Sequence, residues 1–174
     1  EFGVSLLAVG VILMVAGFGF KIAVVPFQGW VPDVYEGSPL PVTAFLSVAS
    51  KAAGFALIIR VFSTTFESLE VDWALLFAGL AAASMTIGNL VAIAQTNIKR
   101  LLAYSTIAHA GYMLVGLAAV ASRTEDGVSL STETLLFYLG GYAVTNLAAF
   151  FAIIAIMDRT HSELIESFAG MGRR

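Results

Sequence analysis

The feature that most constrains this chain is a series of long apolar runs. About 20 consecutive, mostly apolar residues cross a bilayer as an α-helix. Five such runs occupy residues 4–25, 42–62, 73–95, 101–121 and 134–157. The runs lack the alternating pattern of a barrel strand. Lipid cannot hydrogen-bond the backbone, and a helix pairs its backbone groups internally, so each run is predicted to be a helix. The sequence therefore predicts an all-α, polytopic membrane bundle of about five transmembrane helices.

Composition agrees with a membrane protein. Hydrophobic residues make up 59% of the 174 residues and charged residues only 12%, whereas a soluble domain is roughly half apolar and one-quarter charged. We expect a single membrane domain over 1–174, with a polar tail at 158–174. The chain begins at Glu1 without an initiator methionine, and we expect it to be a piece of a longer polypeptide.

The charged residues lie almost wholly in short connectors, and the formal net charge is -3. There is no basic stripe for nucleic acid, so the bilayer is the expected environment. The absence of cysteine excludes disulfides, thiolate metal sites and cysteine-held iron–sulfur clusters within this chain. No metal site is predicted.

Orientation follows from the lysines and arginines of the connectors, which are enriched on the cytoplasmic side. One side carries Lys99, Arg100, Arg159, Arg173 and Arg174, and the other carries Arg60 and Arg123. This bias predicts a cytoplasmic C-terminus for an integral membrane protein.

Small and polar residues recur inside the apolar runs. Small residues are expected where helix backbones approach closely, and they include Gly79, Ala81, Ala82, Ala83, Ser84, Gly88, Gly140, Gly141 and Ala143. Hydroxyls and amides can hold water or join helices, and joining helices is the role predicted for most of Ser47, Ser50, Thr86, Asn89, Thr106, Tyr112, Thr145 and Asn146.

Two lysines interrupt the apolar runs. Lys51 lies near the middle of the second run and cannot extend to water. A buried amine without a counter-charge favours its neutral form, so such a group can load and release a proton. The alternative is a permanent pair with a carboxylate from elsewhere, because none of the twelve acidic residues lies within an apolar run. A functional site is the default interpretation of an intramembrane lysine.

Lys21 is more ambiguous from the residues alone. Pro26 lacks an amide hydrogen, and its ring clashes with the carbonyl of Ile22, so the first helix must kink or break just after Lys21. If the chain stays in the membrane beyond this break, Lys21 lies near mid-depth. If the chain leaves there, Lys21 extends to the interface.

Three ordered blocks, 20–39, 50–54 and 88–112, resemble the antiporter-like membrane subunits of respiratory complex I, in particular subunit N and its mitochondrial subunit 2 and plastid-cyanobacterial relatives. The resemblance implies five central helices of an inverted-repeat antiporter-like fold with about fourteen. It implies that Lys21 is the central lysine of a broken helix and Lys51 the connecting lysine. Gln28 departs from the histidine common in relatives, so no proton role is assigned there.

The resemblance also makes His109 a proton-relay candidate, since imidazole changes charge near neutral pH. The alternative is a core histidine hydrogen-bonded to a backbone carbonyl. For Lys99 the prediction is an anchoring or proton-entry role.

The implied function is a proton-translocating subunit of NADH:quinone oxidoreductase. The expected partners are other membrane subunits of complex I, including neighbouring antiporter-like ones. No cofactor is expected in this chain, because NADH, FMN, iron–sulfur clusters and quinone belong to partner subunits. The bacterial plasma membrane is the expected location, with thylakoid or inner mitochondrial membrane as alternatives. The rival function is a cation/proton antiporter subunit of the Mrp type. An inert scaffold is disfavoured, because placing Lys51 inside the membrane costs free energy that a scaffold would not need to spend.

Overall fold

The computed structural model describes residues 2–64, 73–121 and 127–171, and it describes side chains at 9–62, 73–119 and 132–171. Three arginines used for the orientation, Arg123, Arg173 and Arg174, lie outside these residues. The helices are α1 (Phe2–Ile22), α2 (Trp30–Gly37), α3 (Leu40–Phe45), α4 (Lys51–Thr64), α5 (Trp73–Ile93), α6 (Ile98–Ala121) and α7 (Gly127–Thr160). A π-helical segment, Leu46–Ser50, joins α3 to α4, and a 3₁₀ turn, Ile165–Phe168, follows α7.

The prediction of an all-α membrane bundle is confirmed. Within the described residues, four helical stretches are long and apolar enough to cross a membrane, and Val9–Ile22 is a shorter apolar helix. The four are Leu40–Phe62, Trp73–Ile93, Ile98–Ala119 and Thr132–Thr160. The last helix continues three residues beyond the predicted end at 157.

The first helix ends early, through a backbone motif. α1 stops at Ile22 and not at the predicted residue 25, and Ala23 has a left-handed φ of 62°. The amides of Ala23 and Val24 donate to the carbonyls of Phe20 and Gly19, at 3.2 and 3.0 Å. This is the Schellman pattern, in which the left-handed position usually holds glycine. Alanine there costs about 1–2 kcal/mol, which the surrounding packing must offset.

The seven residues between α1 and α2 contain Pro26 and form the break in the helix. The amide of Val25 donates to Ser84 Oγ of α5 at 3.0 Å in a buried hydrogen bond. The indole Nε1 of Trp30 donates to the carbonyl of Phe20 at 3.0 Å, and the two rings stack at 5.2 Å. Side chains of other elements therefore satisfy backbone groups that the break leaves free, as buried polar groups require.

The closest helix pair is α5 with α6. A Cβ on Gly88 would lie 2.8 Å from the backbone nitrogen of Ala108, and a Cβ on Gly111 would lie 2.9 Å from that of Met85. Only glycine fits at either position without separating the helices. Gly79, Gly140 and Gly141 have open space where a Cβ would stand. Four glycines were predicted to pack between helices. Among the described residues, Gly88 is the one of these four that is in tight contact with a neighbouring helix.

The predicted connectors at 26–41 and 96–100 and the C-terminal tail meet at one end of the bundle. Asn97 and Leu164 form an isolated antiparallel bridge. The amide of Ile98 donates to the carbonyl of Glu163, and the amide of Ile165 donates to that of Thr96, both at 2.9 Å. The tail after α7 thus folds back across the start of α6.

Candidate functional site

Lys51 is the central residue of the 23-residue apolar stretch Leu40–Phe62. Its exposed fraction is 3%. Nζ donates to the backbone carbonyl of Thr106 on α6, at 2.5 Å. An ammonium has three donors, so this one neutral acceptor does not compensate a full charge at that depth.

No carboxylate among the described residues pairs with Lys51. At the connector end of the bundle, ion pairs join Lys99 to Glu163, and Arg100 to Asp33 and Glu36. Within the described part of the chain, Lys51 therefore lies in the interior without an opposite charge. This environment favours an amine that exchanges its proton over one that is permanently charged.

The π-helical segment that precedes Lys51 is held by α7. The hydroxyl of Tyr142 donates to the carbonyl of Ser47 at 3.0 Å. The amide of Asn146 donates to Ser47 Oγ at 2.6 Å. Asn146 is the central residue of the 29-residue stretch Thr132–Thr160, so these contacts lie at the same depth as Lys51. π-Helical turns inside α-helices occur frequently at functional sites.

Tyr35 of α2 extends this buried polar group toward the broken helix. The side chains of Thr106 and Ser47 lie next to its phenol, and only 1% of the residue is exposed. Thr106 and Ser47 are themselves fully buried. Lys51, Ser47, Thr106 and Tyr35 thus form one buried polar cluster among α2, α4, α6 and the π-helical segment.

His109 lies three residues after Thr106 on α6, about 4.5 Å further along the helix axis. It is half-buried, and its Nδ1 is hydrogen-bonded to the hydroxyl of Tyr138 on α7 at 2.7 Å. Lys51 Nζ is bonded to the carbonyl of Thr106, about one helical turn before His109 on α6. The structure therefore brings these two predicted residues together at mid-depth.

Lys21 occupies a different position. It lies in the last turn of α1, and its side chain is exposed and makes no hydrogen bond or ion pair to any other described residue. The neighbouring break is bonded to Ser84, next to the middle of the stretch Trp73–Ile93. This places Lys21 near mid-depth, on the outer face of the described helices.

The stem of Lys21 nevertheless contacts the helix that carries Lys51. A Cβ on Gly54 would lie 3.4 Å from Cγ of Lys21 and 2.6 Å from Cγ2 of Ile22. Gly54 is three residues, about one helical turn, after Lys51. The two lysines are therefore neighbours in the fold, although no chain of described polar atoms joins their Nζ atoms. Direct proton transfer between them stays a prediction.

Lys99 is not part of the mid-depth cluster. It precedes His109 by ten residues, about 15 Å along the helix. Its Nζ forms an ion pair with Glu163 at 2.5 Å and donates to the carbonyls of Glu36 and Ser38, at 3.1 and 3.2 Å. These contacts cross-link α2, α6 and the tail, which is the arrangement that an anchoring role requires.

The fold changes the pKa of the Glu163 carboxyl. Burial alone raises the pKa of Glu163, but hydrogen bonds from Lys99 and Asn97 and the charge of Lys99 outweigh it. The net effect holds that pKa below its usual range. The carboxylate therefore persists to a lower pH in the folded chain than in an unfolded one.

Three tyrosines in or near the cluster were not proposed from the sequence, namely Tyr35, Tyr138 and Tyr142. A usable signal was present in α7, since Tyr138, Tyr142 and Asn146 recur at intervals of four in an apolar helix and so share one face.

Gln28 has a buried Oε1 without a hydrogen-bond partner among the described residues. No cluster of three or more histidine, aspartate or glutamate side chains that could hold a metal ion is found in the described part of the chain.

Together, the fold and the cluster define a polytopic helical membrane protein with ionisable side chains buried at the middle of its spans. The sequence profile of the NADH:quinone oxidoreductase/Mrp antiporter transmembrane family matches residues 2–173. The chain belongs to that family.

Individual relatives agree with this assignment. The chain is 55% identical over 169 residues to NADH-quinone oxidoreductase subunit N of Dehalococcoides mccartyi, covering 94% of this chain and 34% of the relative. It is similar to a chain of respiratory complex I from Thermus thermophilus, with a TM-score of 0.65, 40% identity and coverage of 81% and 29%. A chain of the Mrp complex from Dietzia sp. matches with a TM-score of 0.72, 28% identity and coverage of 86% and 26%. The chain spans about a third of the length of the curated relatives that it matches.

Proposed function

We propose that this chain belongs to a proton-translocating membrane subunit of NADH:quinone oxidoreductase, of the subunit N kind. The observation that carries the proposal is Lys51, an amine buried at the centre of its span without an opposite charge among the described residues. Identity to subunit N is 55%, against 28% for the Mrp chain. The similarity therefore favours the oxidoreductase subunit over a cation/proton antiporter of the Mrp type.

In the proposed mechanism, Lys21 and Lys51 pass a proton along the middle of the membrane. Redox-driven changes in partner subunits alter whether a carboxylate pairs with Lys21, which changes the affinity of Lys21 for its proton. That carboxylate comes from outside the described residues. It can reach Lys21 because the side chain of Lys21 is exposed near mid-depth. The proton then moves to Lys51, whose contact with Thr106 leads toward His109.

Under this proposal the redox chemistry takes place elsewhere. NADH, FMN, iron–sulfur clusters and quinone are held by partner subunits, and this chain contributes protonatable side chains and the helices that position them. The neighbours are the other membrane subunits, including antiporter-like ones. We place the protein in a bacterial plasma membrane. The connector end, with Lys99, Arg100 and Arg159, faces the cytoplasm because basic residues are enriched on that side.

The test is Lys51→Arg in the full-length subunit, within the assembled complex. Arginine keeps the charge but does not release a proton under physiological conditions. Proton uptake into inverted membrane vesicles should therefore fall to background while the complex still assembles. Wild-type pumping by Lys51→Arg would contradict the proposal. Transport that depends on an added sodium gradient, without NADH, would instead support the Mrp-type alternative.

A further inference from the structure

Three tyrosine rings surround the imidazole of His109. The ring centroids of Tyr112, Tyr138 and Tyr142 lie 5.5, 6.2 and 5.2 Å from that of His109. Tyr112 is on the same helix as His109, and the other two are on α7. The three rings therefore give the histidine a largely aromatic environment.

Each hydroxyl has a different hydrogen-bond partner. The hydroxyl of Tyr112 accepts from Nδ2 of Asn89 at 3.1 Å. The hydroxyl of Tyr142 donates to the carbonyl of Ser47 at 3.0 Å. The hydroxyl of Tyr138 is bonded to Nδ1 of His109 at 2.7 Å. Among the described residues, Tyr138 is thus the hydroxyl that acts on the imidazole directly.

A phenol suits a histidine that changes charge. A backbone carbonyl accepts only, so it would hold Nδ1 in its protonated form, and a carboxylate would stabilise the charged ring. The hydroxyl of Tyr138 donates to Nδ1 when that nitrogen is bare and accepts from it when it is protonated. The hydrogen bond therefore survives both protonation states, and Nε2 is left for proton exchange.

The position of Tyr138 is fixed by the same helix face that binds the π-helical segment. Tyr142 lies four residues further along α7, on the same face, and it is bonded to Ser47. Asn146, another four residues on, is bonded to the same serine. The face that orients His109 is therefore anchored next to Lys51.

We propose that Tyr138 is a positioning residue for proton transfer through His109. It holds Nδ1 and so directs exchange to Nε2. The inference rests on the proposed function, because it matters only if His109 relays protons.

The test compares Tyr138→Phe with Tyr112→Phe in the full-length subunit within the assembled complex. Both variants remove one hydroxyl and keep a ring beside His109, but only the first removes a bond to the imidazole. We expect Tyr138→Phe to lower the proton-pumping rate per complex about tenfold, by analogy with the loss of roughly 10–100-fold when the hydrogen-bonded partner of a metal-ligating histidine is removed. Tyr112→Phe should stay near the wild-type rate. Equal rates for the two variants would overturn the inference.

Two further measurements separate positioning from a general structural role. In a His109→Gln background, adding Tyr138→Phe should change the pumping rate no further, because the tyrosine acts through the imidazole. An additional loss there would overturn the inference. Solid-state NMR of the isotope-labelled histidine in the wild-type complex should show Nδ1 hydrogen-bonded to a tyrosine hydroxyl, and a free Nδ1 would overturn it without any variant.

Failure of this inference is distinguishable from failure of the proposed function. If Lys51→Arg pumps normally, the proposed function fails. If Lys51→Arg is impaired while Tyr138→Phe pumps as Tyr112→Phe does, only the role of Tyr138 fails.

Discussion

Replacing Lys51 with methionine should separate the stability of the protein from its transport activity. Methionine has an unbranched side chain similar in length to the lysine stem and carries no charge. We expect Lys51→Met to fold and assemble at least as well as wild type, because it removes a buried amine that has only one hydrogen bond among the described residues. Proton pumping should be lost, because no exchangeable proton remains at that position.

The magnitude follows from two opposing effects. Removing a lysine from the middle of a membrane span relieves about 2.5–3.5 kcal/mol. Losing the hydrogen bond to the carbonyl of Thr106 costs roughly 1.5–3 kcal/mol if the donor is charged. The difference ranges from about 0.5 kcal/mol against methionine to about 2 kcal/mol in its favour, so the change is neutral to stabilising. Lys51→Ala should be less stable than Lys51→Met by about 2–5 kcal/mol, because it leaves a cavity in the packed interior.

The assay measures the thermal midpoint of the purified complex and proton uptake into inverted vesicles for both variants. Both should fail to pump, while only the alanine variant loses stability. A methionine variant that is as much less stable than wild type as the alanine variant would mean that Lys51 is a structural cross-link. A methionine variant that pumps would mean that proton transfer bypasses this position.

Two further predictions concern other parts of the fold. Gly54→Ala would bring a Cβ to 2.6 Å from Ile22, at a cost of about 1–3 kcal/mol. Pumping should fall more than in Gly17→Ala, which has open space, and equal pumping would argue against transfer between the lysines near this contact. Because the pKa of Glu163 is lowered in the fold, its ion pair stabilises the tail fully above the unfolded value near 4.3 and is lost as pH falls through the lower folded value. The protection factor of the Ile165 amide in hydrogen exchange should therefore fall at acid pH. In Glu163→Gln this protection factor should be low throughout, and a pH-independent protection factor in the wild type would contradict the prediction.

The sequence predicted the helices better than their ends. Hydropathy identifies apolar stretches, but it cannot show where the backbone leaves the helix. Pro26 indicated a break, whereas the helix ends at Ile22 because Ala23 adopts a left-handed conformation. Alanine gives no sign of this, since glycine is the residue expected there. Likewise, nothing in the composition of Leu46–Ser50 distinguishes a π-helix from an α-helix.

The site was predictable where one residue is unusual by itself. A lysine amid apolar residues is conspicuous, so Lys51 could be proposed at once, and the structure places it in the interior as expected. Tyr138 and Tyr142 are ordinary in membrane helices, and their importance depends on what α7 faces. The exposure of Lys21 was not predictable either, because it depends on the register between α1 and α4.

The most direct test of the account is the protonation state of Lys51 itself. Solid-state NMR of the isotope-labelled Nζ, in the complex embedded in a bilayer, distinguishes a neutral amine from an ammonium. The account predicts that a neutral fraction is present near physiological pH and changes when NADH drives turnover. An Nζ that stays fully protonated in both conditions would contradict it.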